Sequence, residues 1–165
     1  MAGDLESIIH FTVSGQPFAL SVDVVREVVP IAWMAKPVGM PSIVHGVLNL
    51  GGVAVPVLRA DLLLGLVPFA LGLDASVLIM KGAEPPLGLL VEHVEGVRSA
   101  AAYGVLPLNE AQSFRGCVEA QLDGAGEVLP LLSWPRLLLE EERTRLAEFQ
   151  QRSAKRLDEM AEGLS

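Results

Sequence analysis

The apolar positions of this chain fall in short runs cut by glycine and proline. "IIHFTV", "PFALSV", "VAVPVL", "SVLIMK", "LGLLVE" and "GEVLPLL" are of strand length and rich in β-branched residues, and "SGQP", "GAEPP" and "DGAGE" supply turns between them. The pattern predicts a mainly β protein. From about Leu137 it changes: neither Gly nor Pro occurs until Gly163, and Leu146, Phe149, Leu157, Met160 and Leu164 recur at helical steps. A C-terminal helix of several turns is expected, with Glu140, Glu141 and Glu142 early on its polar face and Arg152, Lys155 and Arg156 later. Its narrow apolar stripe is expected to pack on the protein's own surface; the alternative is docking into a partner's groove.

The runs also repeat. "PFALSVDVVREV" (17–28) aligns without gaps on "PLGLLVEHVEGV" (86–97), "VHGV" (44–47) matches "FRGC" (114–117), and "VPVLRADLLL" (55–64) resembles "LPLLSWPRLLL" (129–139). Val- and Leu-rich strands resemble one another by chance, but three matches in the same order favour a diverged duplication. A period of about 70 residues is too long for a solenoid and suits two small β units packed together.

"VHGVLNLGGVAVPVLRADLLLG" (44–65) concentrates the unusual chemistry. Val53, Val55 and Val57 alternate and so point to one face of a strand. Gly46, Gly51 and Gly52 permit a tight turn or a close backbone approach, and Asn49 is suited to hydrogen-bonding the turn's backbone.

With 165 residues, 51% of them hydrophobic, the chain has ample apolar surface for a core. The formal net charge of -8, without a Lys/Arg cluster, argues against nucleic acid and anionic lipid as partners. The oiliest stretch, "LLLGLVPFALGL" (62–73), is about half the length a membrane span needs. Cys117 stands alone, and "MAGDLESIIHF" lacks the features of a secretory signal, so a reducing, cytoplasmic setting is expected.

The ordered set Pro41, Gly46, Val47, Asn49, Leu50, Gly52 and Pro56, followed by Gly88, Val91 and Val94, resembles the CheW family of chemotaxis coupling proteins over roughly residues 10–139. The resemblance implies two packed five-stranded SH3-like β-barrels within a domain 1–139, its halves about 10–75 and 76–139, with residues 140–165 as the C-terminal helix. It implies a non-catalytic adaptor linking receptor signalling tips to a CheA-type histidine kinase in a cytoplasmic array, with other CheW-like proteins as possible neighbours and no cofactor. The positions matching the receptor-binding groove are Val25, Glu27, Gly46, Val77 and Val94. The valines equally suit a β core, whereas Glu27 does not.

Two departures bear on the kinase. Where the family usually reads Asn-Leu-Arg-Gly, this chain reads Asn49, Leu50, Gly51, Gly52, and the family's usual Asp and Arg correspond to Arg59 and Asp61, in reversed order. An internal ion pair survives such a reversal, while a charge offered to an outside protein is inverted. These six residues form the expected kinase-contact region, and the changes predict a divergent coupler that keeps the receptor and loses much of the kinase. Ordinary coupling with compensating drift is the alternative.

Catalysis has little support in the sequence. His10, His45 and His93 lack metal-site spacing, Cys117 has no partner motif, and "LNLGGV" is no phosphate loop. Glu92 and His93, adjacent on an extended segment, would point to opposite faces.

Overall fold

The computed structural model describes residues 5–82, 86–108 and 113–163. Leu164 and the centre of the "GAEPP" turn lie outside them. Among the described residues eleven strands build two sheets. One has the order β8-β1-β2-β11-β10-β9: β8 is His93–Ser99, β1 Ser7–Val13, β2 Gln16–Ser21, β11 Glu127–Leu132, β10 Val118–Gly124 and β9 Gly104–Leu106. The other has the order β3-β6-β7-β5-β4: β3 is Val25–Pro30, β6 Ser76–Met80, β7 Gly88–Val91, β5 Val53–Arg59 and β4 Val44–Leu50. Helices α1 (Ala60–Leu64) and α2 (Trp134–Gly163) follow β5 and β11.

The two sheets share one strand order. β1 and β6, β2 and β7, β3 and β8, β4 and β10, and β5 and β11 hold equivalent places in the two sheet orders. In both sheets one parallel pairing, β2 with β11 and β5 with β7, joins strands distant in sequence. Sheet membership therefore cuts across the division at residues 75 and 76: β1 and β2 sit with strands of the second half, β6 and β7 with strands of the first. Neither half can complete a sheet alone. The register differs from the sequence match in one place, because "FRGC" is a turn and the strand equivalent to β4 begins at Val118. The segment between β8 and β10, which includes the extra edge strand β9, accounts for the slip.

The mainly β architecture with a C-terminal helix agrees with expectation, but closed barrels do not form. Among the described residues no ladder joins β3 to β4 or β8 to β9, so both sheets are open, and one has six strands. The central strands β6 and β7 are almost wholly buried, as strands covered on both faces must be. A large core containing Phe11, Phe18, Val57, Leu78, Ile79 and Leu90 joins the sheets; a smaller one lies around Ile8, Leu122, Leu129 and Leu131.

Glycine is required where backbones meet. A Cβ on Gly46 would lie 2.8 Å from the Ala35 carbonyl oxygen and 2.9 Å from Met34 Cβ, and one on Gly88 would lie 2.6 Å from Val77 Cγ1. Cys117 is buried and its thiol is pushed up to about 11, mainly by desolvation, which leaves it a core residue of low reactivity.

α2 begins earlier than the sequence suggested. Ser133 starts it, its Oγ accepting from the Arg136 N–H and its carbonyl from the Leu137 N–H, and Pro135 is tolerated because the first turn needs no intrahelical donor there. The expected packing of the apolar stripe on the body does not occur. Leu146, Phe149, Leu157 and Met160 are 57–67% exposed, while Leu137 is buried and Glu148 reaches the body as acceptor for the Ser42 N–H. Burial raises the pKa of Glu141 on that same side, with Arg145 opposing the shift.

Mild acid should weaken the fold through two histidines. Burial first, then Arg98, lowers the pKa of His10, whose Nδ1 has no hydrogen-bond partner among the described residues; burial and then Lys36 lower that of His45. Both imidazoles bind protons more readily unfolded than folded, so stability present above the ordinary histidine pKa is lost as pH falls through and below it. Denaturant midpoints should drop between about pH 7.5 and 5.5, and His10→Gln should flatten the drop. A pH-independent midpoint in the parent protein contradicts this assignment.

Candidate interaction site

β4 and β5 form a hairpin that brings the unusual residues to an exposed tip. Leu50 pairs with Val53, leaving Gly51 and Gly52 at φ +58° and +89°, the left-handed pair of a two-residue type I′ turn. Asn49 Oδ1 accepts the Gly52 N–H at 2.8 Å and locks the turn. Nothing lies within 4 Å of a Cβ built on Gly51, so a side chain there would project into solvent. Val55 and Val57 point inward and are fully buried, while Val53 at the tip stays half-exposed.

Arg59 and Asp61 do not belong to that tip. Arg59 Nε and Nη2 meet Asp61 Oδ1 and Oδ2 at 3.0 and 2.7 Å, a bidentate pair, and the Asp61 side chain is fully buried. Asp61 Oδ1 also accepts the Leu62 N–H and Oδ2 the Phe69 N–H, while Arg59 lies over the Phe69 ring. The pair fastens the loop after α1 to the body, and its reversed order is that of an internal contact.

The five groove positions divide in the same way. Val25 and Val77 are 6% and 0% exposed and belong to the large core. Gly46 is buried beneath Met34 and Ala35. Val94 is half-buried against the core on β8, and Glu27 is exposed on the edge strand β3 beside exposed Val28. Glu27 and Val94 therefore have surface to offer a partner, and the other three shape what lies beneath.

Two features were missed by sequence reasoning. The chain bends at Glu92, so Glu92, His93 and Glu95 line one cavity of about 390 Å³ with Thr12 and Asp74, against the expectation that neighbours 92 and 93 diverge. Both glutamates are engaged locally: Glu92 Oε1 accepts the Gly15 N–H and Glu95 Oε1 accepts from Thr12 Oγ1. Trp33 is 85% exposed and lines an apolar hollow with Ile31 and Leu71, edged by Lys36 and His45. The adjacent Trp and Met of "IAWMAKP" were its only sequence signal. Among the described residues no cluster of His, Cys, Asp or Glu is arranged to hold a metal ion, and no helix is long and apolar enough to cross a membrane.

The fold and site define a two-sheet β domain, its sheets alike in strand order, with an exposed glycine hairpin. The chain belongs to the CheW-like domain family, whose model matches residues 7–142. By sequence, no curated protein matches it. Among solved structures, the scaffolding protein TtCheW from Thermoanaerobacter tengcongensis is similar, with a TM-score of 0.68 and 20% identity over 79% of this chain and 85% of that one.

Proposed function

We propose that this protein is a non-catalytic chemosensory adaptor that binds receptor signalling tips within a cytoplasmic array and engages a CheA-type kinase weakly. The repeated five-strand order supports reading the two sheets as opened SH3-like units. Receptor contact is assigned to Glu27 and Val94, with Val25, Gly46 and Val77 supporting that surface from within. Kinase contact is assigned to the tip Asn49, Leu50, Gly51 and Gly52, with Arg59 and Asp61 acting only as internal support.

The observation that carries the reading is the bare tip. A loop arginine gives bidentate, charge-assisted contacts and is among the residue types that dominate interface energies, whereas Gly51 offers only backbone. Losing such a contact costs about 2 kcal/mol, roughly thirtyfold in affinity. The alternative, an ordinary coupler that bridges receptor and kinase, draws on the family match itself.

Gly51→Arg separates the two. Its left-handed backbone costs the arginine about 1 kcal/mol of stability, but its open surroundings leave the fold intact. Titration of a kinase regulatory domain should show weak binding by the parent protein and about thirtyfold tighter binding by the variant. Tight parent binding that the arginine does not improve favours the ordinary coupler.

A further inference from the structure

We propose that the six-stranded sheet carries, on the face opposite the smaller core, a binding site for a small uncharged molecule with a flat apolar body and a carboxamide-type edge. The observation that carries it is Gln121. Its neighbours on β10, Ala120 and Leu122, turn into the smaller core, so Gln121 faces the other side of the sheet. It is 3% exposed there, yet its side chain makes no hydrogen bond to any of the described residues. Its amide opens into a hollow of about 220 Å³, lined also by Gln16, Pro17, Phe114, Val128 and Pro130. A buried amide brings donors and an acceptor, and leaving them unmatched is costly where an apolar side chain fits the strand equally well.

The wall of the hollow is unusual too. Phe114 and Arg115 take φ of +49° and +61°, a left-handed backbone that residues with a Cβ seldom adopt. The Phe114 carbonyl accepts the Cys117 N–H, and the Phe114 ring stands edge-on to Phe18, centroids 5.0 Å apart at 79°. Strained backbone that fixes an aromatic wall beside an unmatched buried amide is the arrangement of a ligand clamp.

The lining selects the ligand. A cavity of about 150 Å³ accepts a benzene ring, so this hollow has room for one ring with a small polar group. None of its six lining residues carries a charge, and an ionised ligand would give up hydration without gaining a counter-charge. A purely apolar ligand would leave the Gln121 amide unmatched, whereas an N–H beside a C=O pairs with it as donor and acceptor at once. The site lies on the sheet that does not contain the β4–β5 hairpin tip, and the inference does not depend on the receptor and kinase assignments.

Benzamide is the probe, titrated into the isotope-labelled full chain and followed by NMR. The Gln121 side-chain amide and the backbone amides of Phe114 and Val128 should shift saturably. Benzoate and the benzamidinium ion, of the same shape but charged, should leave them unmoved, and toluene should bind roughly tenfold more weakly than benzamide. Gln121→Leu should weaken benzamide by a similar factor. Val128→Trp, at an exposed position, fills the hollow without altering a buried residue and should abolish the shifts while the melting temperature stays the same. Shifts that miss Gln121 or do not occur overturn the proposal. So does toluene or benzoate binding as tightly as benzamide, undiminished binding by Gln121→Leu, or undiminished binding by Val128→Trp.

Discussion

Asp61→Ala should lower the unfolding free energy by about 3–5 kcal/mol, the cost of breaking a buried ion pair from one side. The fully buried carboxylate of Asp61 serves four donors: Arg59 Nε at 3.0 Å, Arg59 Nη2 at 2.7 Å, the Leu62 N–H at 2.8 Å and the Phe69 N–H at 3.1 Å. Alanine would leave a guanidinium, itself only 19% exposed, without its counter-charge, and two backbone donors without their acceptor. Urea denaturation measures the effect; a loss below about 1 kcal/mol would show that the pair behaves as a surface contact. Arg59→Asp combined with Asp61→Arg creates the order usual in CheW-like sequences and should not restore stability. The amides of Leu62 and Phe69 require an acceptor at position 61, where arginine has none. Full recovery would mean that charge alone holds the loop.

Val77→Ala should cost about 2–3 kcal/mol, because it empties a fully buried site against Gly88 in the large core. Glu27→Arg, at an exposed position on an edge strand, should change stability by no more than about 0.5 kcal/mol. The contrast matters for function. A receptor-binding defect in a Val25 or Val77 variant reports a damaged fold, whereas one in a Glu27 variant reports a lost contact. Melting curves of the two variants settle the order, and a Val77→Ala protein as stable as its parent would contradict the core assignment.

Strands and hairpins were legible because period-two patterns and turn residues are local signals. The likeness of strand order could also be read, since "PFALSVDVVREV" and "PLGLLVEHVEGV" share a pattern. What the sequence did not reveal is that each sheet takes strands from both halves, since the pairings of Leu131 with Ala19 and of Leu58 with Leu89 depend on distant parts of the chain. The stripe on α2 was visible as a period, but which side of the helix meets the body is set by Ser42 and Gly39, about a hundred residues away. At the candidate site, the Asn49–Gly52 turn followed from residue type. The burial of Val25 and Val77 and the inward turn of Arg59 and Asp61 did not, because alternation along a strand does not say how deeply a face is covered.

Titration of a labelled receptor signalling tip with the parent protein and with Glu27→Arg tests the central claim most directly. The parent protein should bind saturably and the variant roughly thirtyfold more weakly, a loss of about 2 kcal/mol, with the two melting temperatures alike. No binding by the parent protein, or equal affinity for both, would contradict it.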